Sequence, residues 1–307
     1  MTPTSSSKVP RNRCRAIEGD ITLPLGGVDP GELDGVTEIW HIAASLSFED
    51  ERADEISLHN EQGTKNIVEL ARKIDCPIFN YVSTAYVAGS LQGLIREAAV
   101  PDSAIANNQY ERSKIAAERI VVGASFDVTC VFRPSVVIGN SGTYGTVTST
   151  GMYGFTRGLQ SAHAKVQPQL GELLRYRGLR LLADGDTPIN LIPIDYVSRG
   201  AVTIANSRRS GVYHLANNTP PVISTCLNAV SDVLGLANPV CVDTRDEFTL
   251  VDERVADETI FFQPYMHGRK YFSTVNAEAV LGNGALSYPL DEETLKRYLS
   301  WFVERTS

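Results

Sequence analysis

The chain has 307 residues, 43% of them apolar and 21% charged, with a formal net charge of −8 and a pI near 5.2. That is a globular composition, and the length gives one large α/β unit or two lobes around a cleft. The acidic balance excludes charge-driven nucleic-acid binding, and no apolar run approaches the roughly 18 residues of a membrane span.

In chain order, residues 1–13 read as an irregular lead. It is Ser/Thr-rich and basic but has no apolar stretch, so it is not a secretory signal; a short organelle-type presequence is the other reading. A short strand is expected at 14–18, followed by loop marked by Pro24, Gly26, Gly27, Pro30 and Gly31. Residues 37–44 (TEIWHIAA) form a buried-type apolar run. Residues 60–74 place Ile67, Val68, Leu70, Ala71 and Ile74 at helical spacing. IFNYV at 78–82 reads as the next strand, YERSKIAAERIVV at 110–122 as a helix, and 128–132 as a strand closed by Arg133-Pro134. Further on, a helix is expected around 153–164, a strand pair around Gly185 within 179–197, a strand at 211–216, and helices at 222–234 and 291–305. There is no internal repeat.

Short apolar strands alternating with amphipathic helices predict a parallel, doubly wound sheet. Ligands of such sheets bind at the carboxyl ends of the strands. The polar residues fall there: Asp20, Ala44-Ser45, Ser83-Thr84 and Pro134-Ser135. The five cysteines, Cys14, Cys76, Cys130, Cys226 and Cys241, are odd in number and lack metal-ligand spacing. They are expected as buried free thiols in a reducing compartment, the cytoplasm. The five histidines form no metal pair, so no metal site is expected.

Tyr110 and Lys114 are four apart on a predicted helix and share a face. A phenol titrates near 10, so it is a poor base until a cation favours the phenolate. Bringing it to about 7 takes about 4 kcal/mol, which one exposed lysine does not supply. A buried cleft or a second positive charge, such as an oxidised nicotinamide ring, is required. Taken alone, chance spacing is the better explanation of the pair. Ser83 and Thr84 offer hydroxyls at a strand end, with a turn or cap as the bland reading. Asn60 could brace neighbouring loops or cap a helix.

The segments AIEGDITLPLGG (16–27), EIWHIAASLSF (38–48), NEQGTKNIVELAR (60–72), YVSTAYVAG (81–89), YERSKIAAE (110–118), FRPSVVIG (132–139), INLIPIDYVSRGAV (189–202) and GVYHLAN (211–217) together resemble the extended short-chain dehydrogenase/reductases. Within them the chain is most similar to the thioester reductase, fatty acyl-CoA reductase and carboxylic acid reductase branch. The resemblance implies Tyr110 as catalytic acid/base, Lys114 as the partner that lowers its pKa and holds the nicotinamide ribose, and Thr84 as the group that polarises the substrate carbonyl. It implies that NADP or NAD is gripped by Asp20 and Ile21 at the adenine, by Ala43 and Ala44 along the dinucleotide, by Ser83 behind the nicotinamide, and by Pro134 and Val137 at the carboxamide end, with Asn60 bracing the site.

The family's opening strand, Gly-x-x-Gly-x-x-Gly turn and helix are not found ahead of residues 14–18. Losing two phosphate hydrogen bonds and a helix dipole removes several kcal/mol, about a thousandfold in affinity. Three explanations compete: a start lying further upstream, a partner chain or second copy that completes the sheet, and acid–base chemistry without a cofactor. The expected fold is therefore a Rossmann-like doubly wound parallel sheet lacking the first two strands, formed by 1–140 and 189–218. A smaller C-terminal substrate lobe comprises 141–188 and 219–307. The expected function is NAD(P)H-dependent reduction of a carbonyl or a carrier-bound acyl thioester in lipid or secondary metabolism. The alternatives are a cofactor-independent cyclisation, dehydration or condensation, and a non-catalytic binding or assembly protein. Arg157, Arg175, Arg177 and Arg180 read as a solvated basic face rather than a carrier-binding one. Phe261, Phe262, Tyr265 and Met266 read as core packing rather than the wall of an apolar pocket.

Overall fold

The computed structural model describes residues 14–46, 52–147 and 149–306, the side chains of 169, 170 and 306 excepted. The elements are β1 (Glu38–His41), α1 (Ala53–Ser57), α2 (Gly63–Lys73), β2 (Ile78–Val82), β3 (Gly93–Ile95), α3 (Gln109–Gly123), β4 (Val128–Pro134), β5 (Val136–Ile138), α4 (Met152–Leu170), α5 (Leu173–Tyr176), β6 (Arg180–Leu182), β7 (Leu191–Pro193), α6 (Ile194–Asn206), β8 (Gly211–Leu215), α7 (Ile223–Leu234), β9 (Val240–Val242), α8 (Leu250–Thr259), β10 (Lys270–Phe272), α9 (Val275–Leu281) and α10 (Glu292–Thr306). A π-helical turn, Leu58–Gln62, joins α1 to α2.

The central sheet is four-stranded, in the order β1-β2-β4-β8, and every pairing is parallel. Its middle strands are covered on both faces, which explains their unbroken apolar runs. Successive residues of β4 point to opposite sides. Val131 packs with Phe79, Tyr81, Val68 and Val121 under α2 and α3. Cys130 and Phe132 pack with Ile204, Tyr213 and Ala277 under α6 and α9. Trp40 of β1 stacks on Phe132 at 5.4 Å. One ion pair is buried between β4 and α3: Arg133 Nε and Nη2 donate to the two Glu118 oxygens at 2.9 and 2.6 Å.

A second core, built on α4, α7 and α10, joins Tyr153, Phe155, Leu227, Val230, Leu299 and Phe302. Short parallel pairs β3–β10, β5–β7 and β6–β9 tie it to the sheet side. Among the described residues, no helix is long and apolar enough to cross a membrane.

Three local expectations are corrected. Residues 14–18 form no strand. Cys14 is exposed rather than buried, Arg15 is held by Glu32, and the chain turns back where Asp20 N donates to Gly26 O. Among the described residues no strand pairs with this segment, and an extended run gains its backbone bonds only from such a partner. Nor does it pair beside β1, whose one strand neighbour among the described residues is β2. The strands near Gly185 do not pair with each other either. β6 pairs β9 and β7 pairs β5, because the turn at 184–187 and the Pro188–Val222 bridge send them to different partners. From Ile194 the chain is helical.

Candidate active site

A cavity of about 830 Å³ opens at the carboxyl ends of β1, β2 and β4 and runs into the second core. Two glycines are needed for close backbone approaches nearby, Gly89 after the turn that follows Thr84 and Gly139 in the cavity lining. Gly89 holds φ +53°, and a Cβ there would lie 2.2 Å from Ile105 O; one on Gly139 would lie 2.4 Å from Tyr144 O. No larger residue fits either turn without moving backbone.

The strand end is polar. Thr84 caps a short helical turn, its Oγ1 accepting from Tyr86 N at 3.2 Å, which leaves its hydroxyl proton to donate. Ser83 and Ser135 follow adjacent strands. Both line the cavity, and both bury hydroxyls that have no partner among the described residues. Tyr110 sits in the first turn of α3, which is capped by Asn108 Oδ1 accepting from Glu111 N at 2.9 Å. Lys114 follows one turn later on the same face. Its Nζ donates to Val82 O at 2.7 Å and lies 4.4 Å from the centre of the Tyr81 ring.

Burial dominates the electrostatics. It raises the Tyr110 phenol above its ordinary value, with Glu111 adding to the effect. It pulls the Lys114 amine down to about 7, against a smaller opposing pull from Glu118. Desolvation disfavours both charged forms, so burial holds Tyr110 protonated and weakens the protonation of Lys114. A positive charge entering the cavity would reverse the trend on Tyr110. His41, behind Lys114, is lowered to about 4 by burial and then by the lysine's charge.

The remaining residues singled out from the sequence divide. Ala44, Pro134 and Val137 line the cavity with Ser83, Thr84, Tyr110 and Lys114; Asp20, Ile21, Ala43 and Asn60 do not. The exposed Asp20 carboxylate accepts from Thr22 N and Oγ1 at 2.8 and 2.7 Å, bonds that lower its pKa. Ile21 O accepts from Asn66 of α2. Asn60 is 1% exposed and wholly engaged. It accepts from Ser45 N at 2.7 Å and donates to Ser45 O and Ser113 Oγ at 3.1 and 2.8 Å. Since Ser113 Oγ in turn donates to Tyr110 O, Asn60 ties the loop after β1 to the tyrosine helix.

Phe261, Phe262, Tyr265 and Met266 wall the cavity, the less favoured of the two readings of that cluster, and Phe262 and Met266 also pack against the second core. Met152, Phe155, Cys226, Leu227 and Val230 line it too and were not expected. Tyr265 donates to buried Glu111 at 2.7 Å and accepts from Asn108 Nδ2 at 2.8 Å, which joins this wall to α3. Apolar residues at helical spacing look alike whether they fill a core or line a void, so sequence carried no signal for them. Arg177 and Arg180 are held by Asp252. Among the described residues, no group of three or more His, Cys, Asp or Glu could hold a metal ion.

The sheet is parallel, and Tyr110, Lys114 and Thr84 line one cavity at the carboxyl ends of its strands. A profile of the NAD-binding family described as male sterility protein matches residues 3–201. The chain belongs to this family. No curated protein matches it. Among solved structures, it is similar to the terminal R domain from the myxalamid PKS-NRPS biosynthetic pathway, with 22% identity, a TM-score of 0.72, and 94% of this chain and 75% of that one covered. It is similar to a thiolation-reductase di-domain from an archaeal non-ribosomal peptide synthetase, at 18% identity and a TM-score of 0.68, covering 94% and 61%. It also resembles UDP-glucuronic acid 4-epimerase from Bacillus cereus in complex with NAD, at 14% identity and a TM-score of 0.64, covering 93% and 80%.

Proposed function

We propose that the chain is an NAD(P)H-dependent reductase of a carbonyl or acyl thioester, acting in lipid or secondary metabolism. The observation that carries this reading is the placement of Thr84, Tyr110 and Lys114 on the wall of one cavity whose far half is apolar. A polar reacting end and a long apolar end suit a substrate with a reactive carbonyl on a hydrocarbon chain. The names of two relatives, a terminal R domain and a thiolation-reductase di-domain, favour a carrier-bound acyl thioester.

The nicotinamide end of a dinucleotide fits the residues present. Ser83 and Ser135 bury hydroxyls that lack partners among the described residues, and Ala44, Pro134 and Val137 complete the wall. The diphosphate end finds no helix N-terminus behind a glycine turn among the described residues ahead of β1. When bound, the reduced nicotinamide supplies hydride to a carbonyl carbon. Tyr110 gives its proton to the carbonyl oxygen, and Thr84 donates a hydrogen bond to the same oxygen as charge gathers there. Lys114, when protonated, favours the phenolate that Tyr110 leaves behind. The apolar walls exclude water and fix the chain.

The same three side chains on one cavity wall also suit a second reading, cofactor-independent acid–base chemistry. Mixing the protein with NADPH and a medium-chain acyl thioester, or the matching aldehyde, and following nicotinamide absorbance separates the two. Dinucleotide consumption that disappears in Tyr110→Phe is the expected result. Conversion of substrate at an unchanged rate without dinucleotide would replace the reductase reading with the second one.

A further inference from the structure

Lys114 stands apart from the chain's other cations. Lys296 is surrounded by Asp232, Glu292 and Glu293, and Lys165 is paired with Glu258. Lys114 is 2% exposed, yet no carboxylate pairs with it among the described residues. The groups around it are Tyr110 and Glu118 on its own helix, His41 from β1, Tyr81 from β2 and Arg133 from β4. Both Glu118 oxygens are already taken by Arg133. Nζ donates a hydrogen bond to Val82 O, and Lys114 borders the cavity. The site is therefore a desolvated amine facing an apolar chamber of about 830 Å³.

We propose that, when no dinucleotide is bound, Lys114 is a nucleophile that captures an apolar aldehyde or ketone as an imine. The Nζ lone pair forms a bond to the carbonyl carbon while the C=O π pair moves to oxygen, which takes a proton from Tyr110 or water. Nitrogen gives up one proton, which restores Tyr110 or water, and the resulting carbinolamine loses its hydroxyl as water, the second nitrogen proton completing that water as the C=N bond forms. Amine plus aldehyde gives imine plus water, with no change of oxidation state. A desolvated lysine in an apolar pocket is the usual form of a Schiff-base nucleophile. With its amine pulled down to about 7, about half of Lys114 is unprotonated at neutral pH. A surface lysine, near 10.4, is unprotonated roughly once in 10³ molecules or less. The inference goes beyond hydride transfer and needs no cofactor.

The test uses the purified whole chain, octanal and cyanoborohydride, which reduces any imine to a stable secondary amine. Digestion and mass spectrometry then give the alkylation rate at each lysine. Lys65 and Lys73, both exposed, are internal references. Lys114 is expected to be alkylated at least tenfold faster than either, and Lys114→Met to remove the fast site while the two references keep their rates. Labelling of Lys114 no faster than Lys65 and Lys73, in protein shown to be folded by circular dichroism, overturns the proposal. Its failure is separable from failure of the reductase reading: fast labelling without NADPH turnover keeps the imine and loses the reductase, and turnover without labelling does the reverse.

Discussion

The cavity's two ends are made of different materials. At the strand end, buried side chains are polar: Ser83, Thr84, Tyr110, Lys114 and Ser135. Away from the strands the walls are Met152, Phe155, Leu227, Val230 and Phe262. A buried hydroxyl without a partner costs about 1–3 kcal/mol, so a packed core would not gather two of them beside a desolvated lysine. The apolar end carries no such cost and gains from every contact. The strand end is thus organised for a ligand's reacting atoms, and the far end for its bulk.

That contrast separates expected effects on turnover from effects on binding. Tyr110→Phe removes the only proposed proton donor, and kcat is expected to fall by roughly 10²–10⁴, with the circular dichroism spectrum unchanged. Thr84→Val removes one hydrogen bond to the developing oxyanion, for a loss of about 10² in kcat at nearly constant KM. A comparable loss in KM alone would move Thr84 to the binding end.

The sheet side is also expected to make the fold acid-sensitive. His41 and His214 are each lowered to about 4 by burial. A folded pKa below the unfolded 6.5 means that the unfolded chain binds more protons between these values. The stabilisation is present above pH 6.5 and is lost as pH falls toward 4. Between pH 7 and 5 each histidine is expected to withdraw about 2 kcal/mol at most. Urea unfolding at the two pH values checks this, and His41→Gln should remove about half of the drop.

The smallest effect belongs to the apolar end. Each methylene added to a short acyl substrate should lower KM about fourfold, from about 0.8 kcal/mol per buried CH₂, until the cavity is full, while kcat stays level. A chain-length series in which kcat rises and KM does not fall would erase the distinction between the two ends.

Much of the strand end was legible in the sequence, because local signals carry it. Apolar runs mark β2, β4 and β8, and helical spacing marks α3, which sets Tyr110 and Lys114 on one face. What was not legible depends on distant partners. Residues 14–18 have a strand-like composition, but a strand needs a neighbour, and none is supplied there. Asp20 lies off the cavity because its turn closes on Gly26. Ser135 was legible as a strand-end residue, but its buried, unpartnered hydroxyl beside that of Ser83 shows only once β2 and β4 are side by side. The second core's lining remained invisible because Phe155 or Leu227 is equally at home in a filled interior.

The sheet's two edges differ in the same nonlocal way. On β8, Asn276 donates to Val212 O at 3.1 Å and Glu97 accepts from His214 N at 2.9 Å, so side chains finish that edge. On β1 no described side chain does so, and Ile42 and Leu46 beyond it are 61% and 54% exposed. Exposed strand edges are usually blunted or covered.

Titration of the purified chain with NADPH and NADH, followed by tryptophan fluorescence, tests the central claim most directly, since Trp301 lines the cavity. Saturable quenching well below the order of 1 mM, weakened by Ser135→Ala, is the expected result. No saturation up to that concentration would contradict a reductase built on this chain.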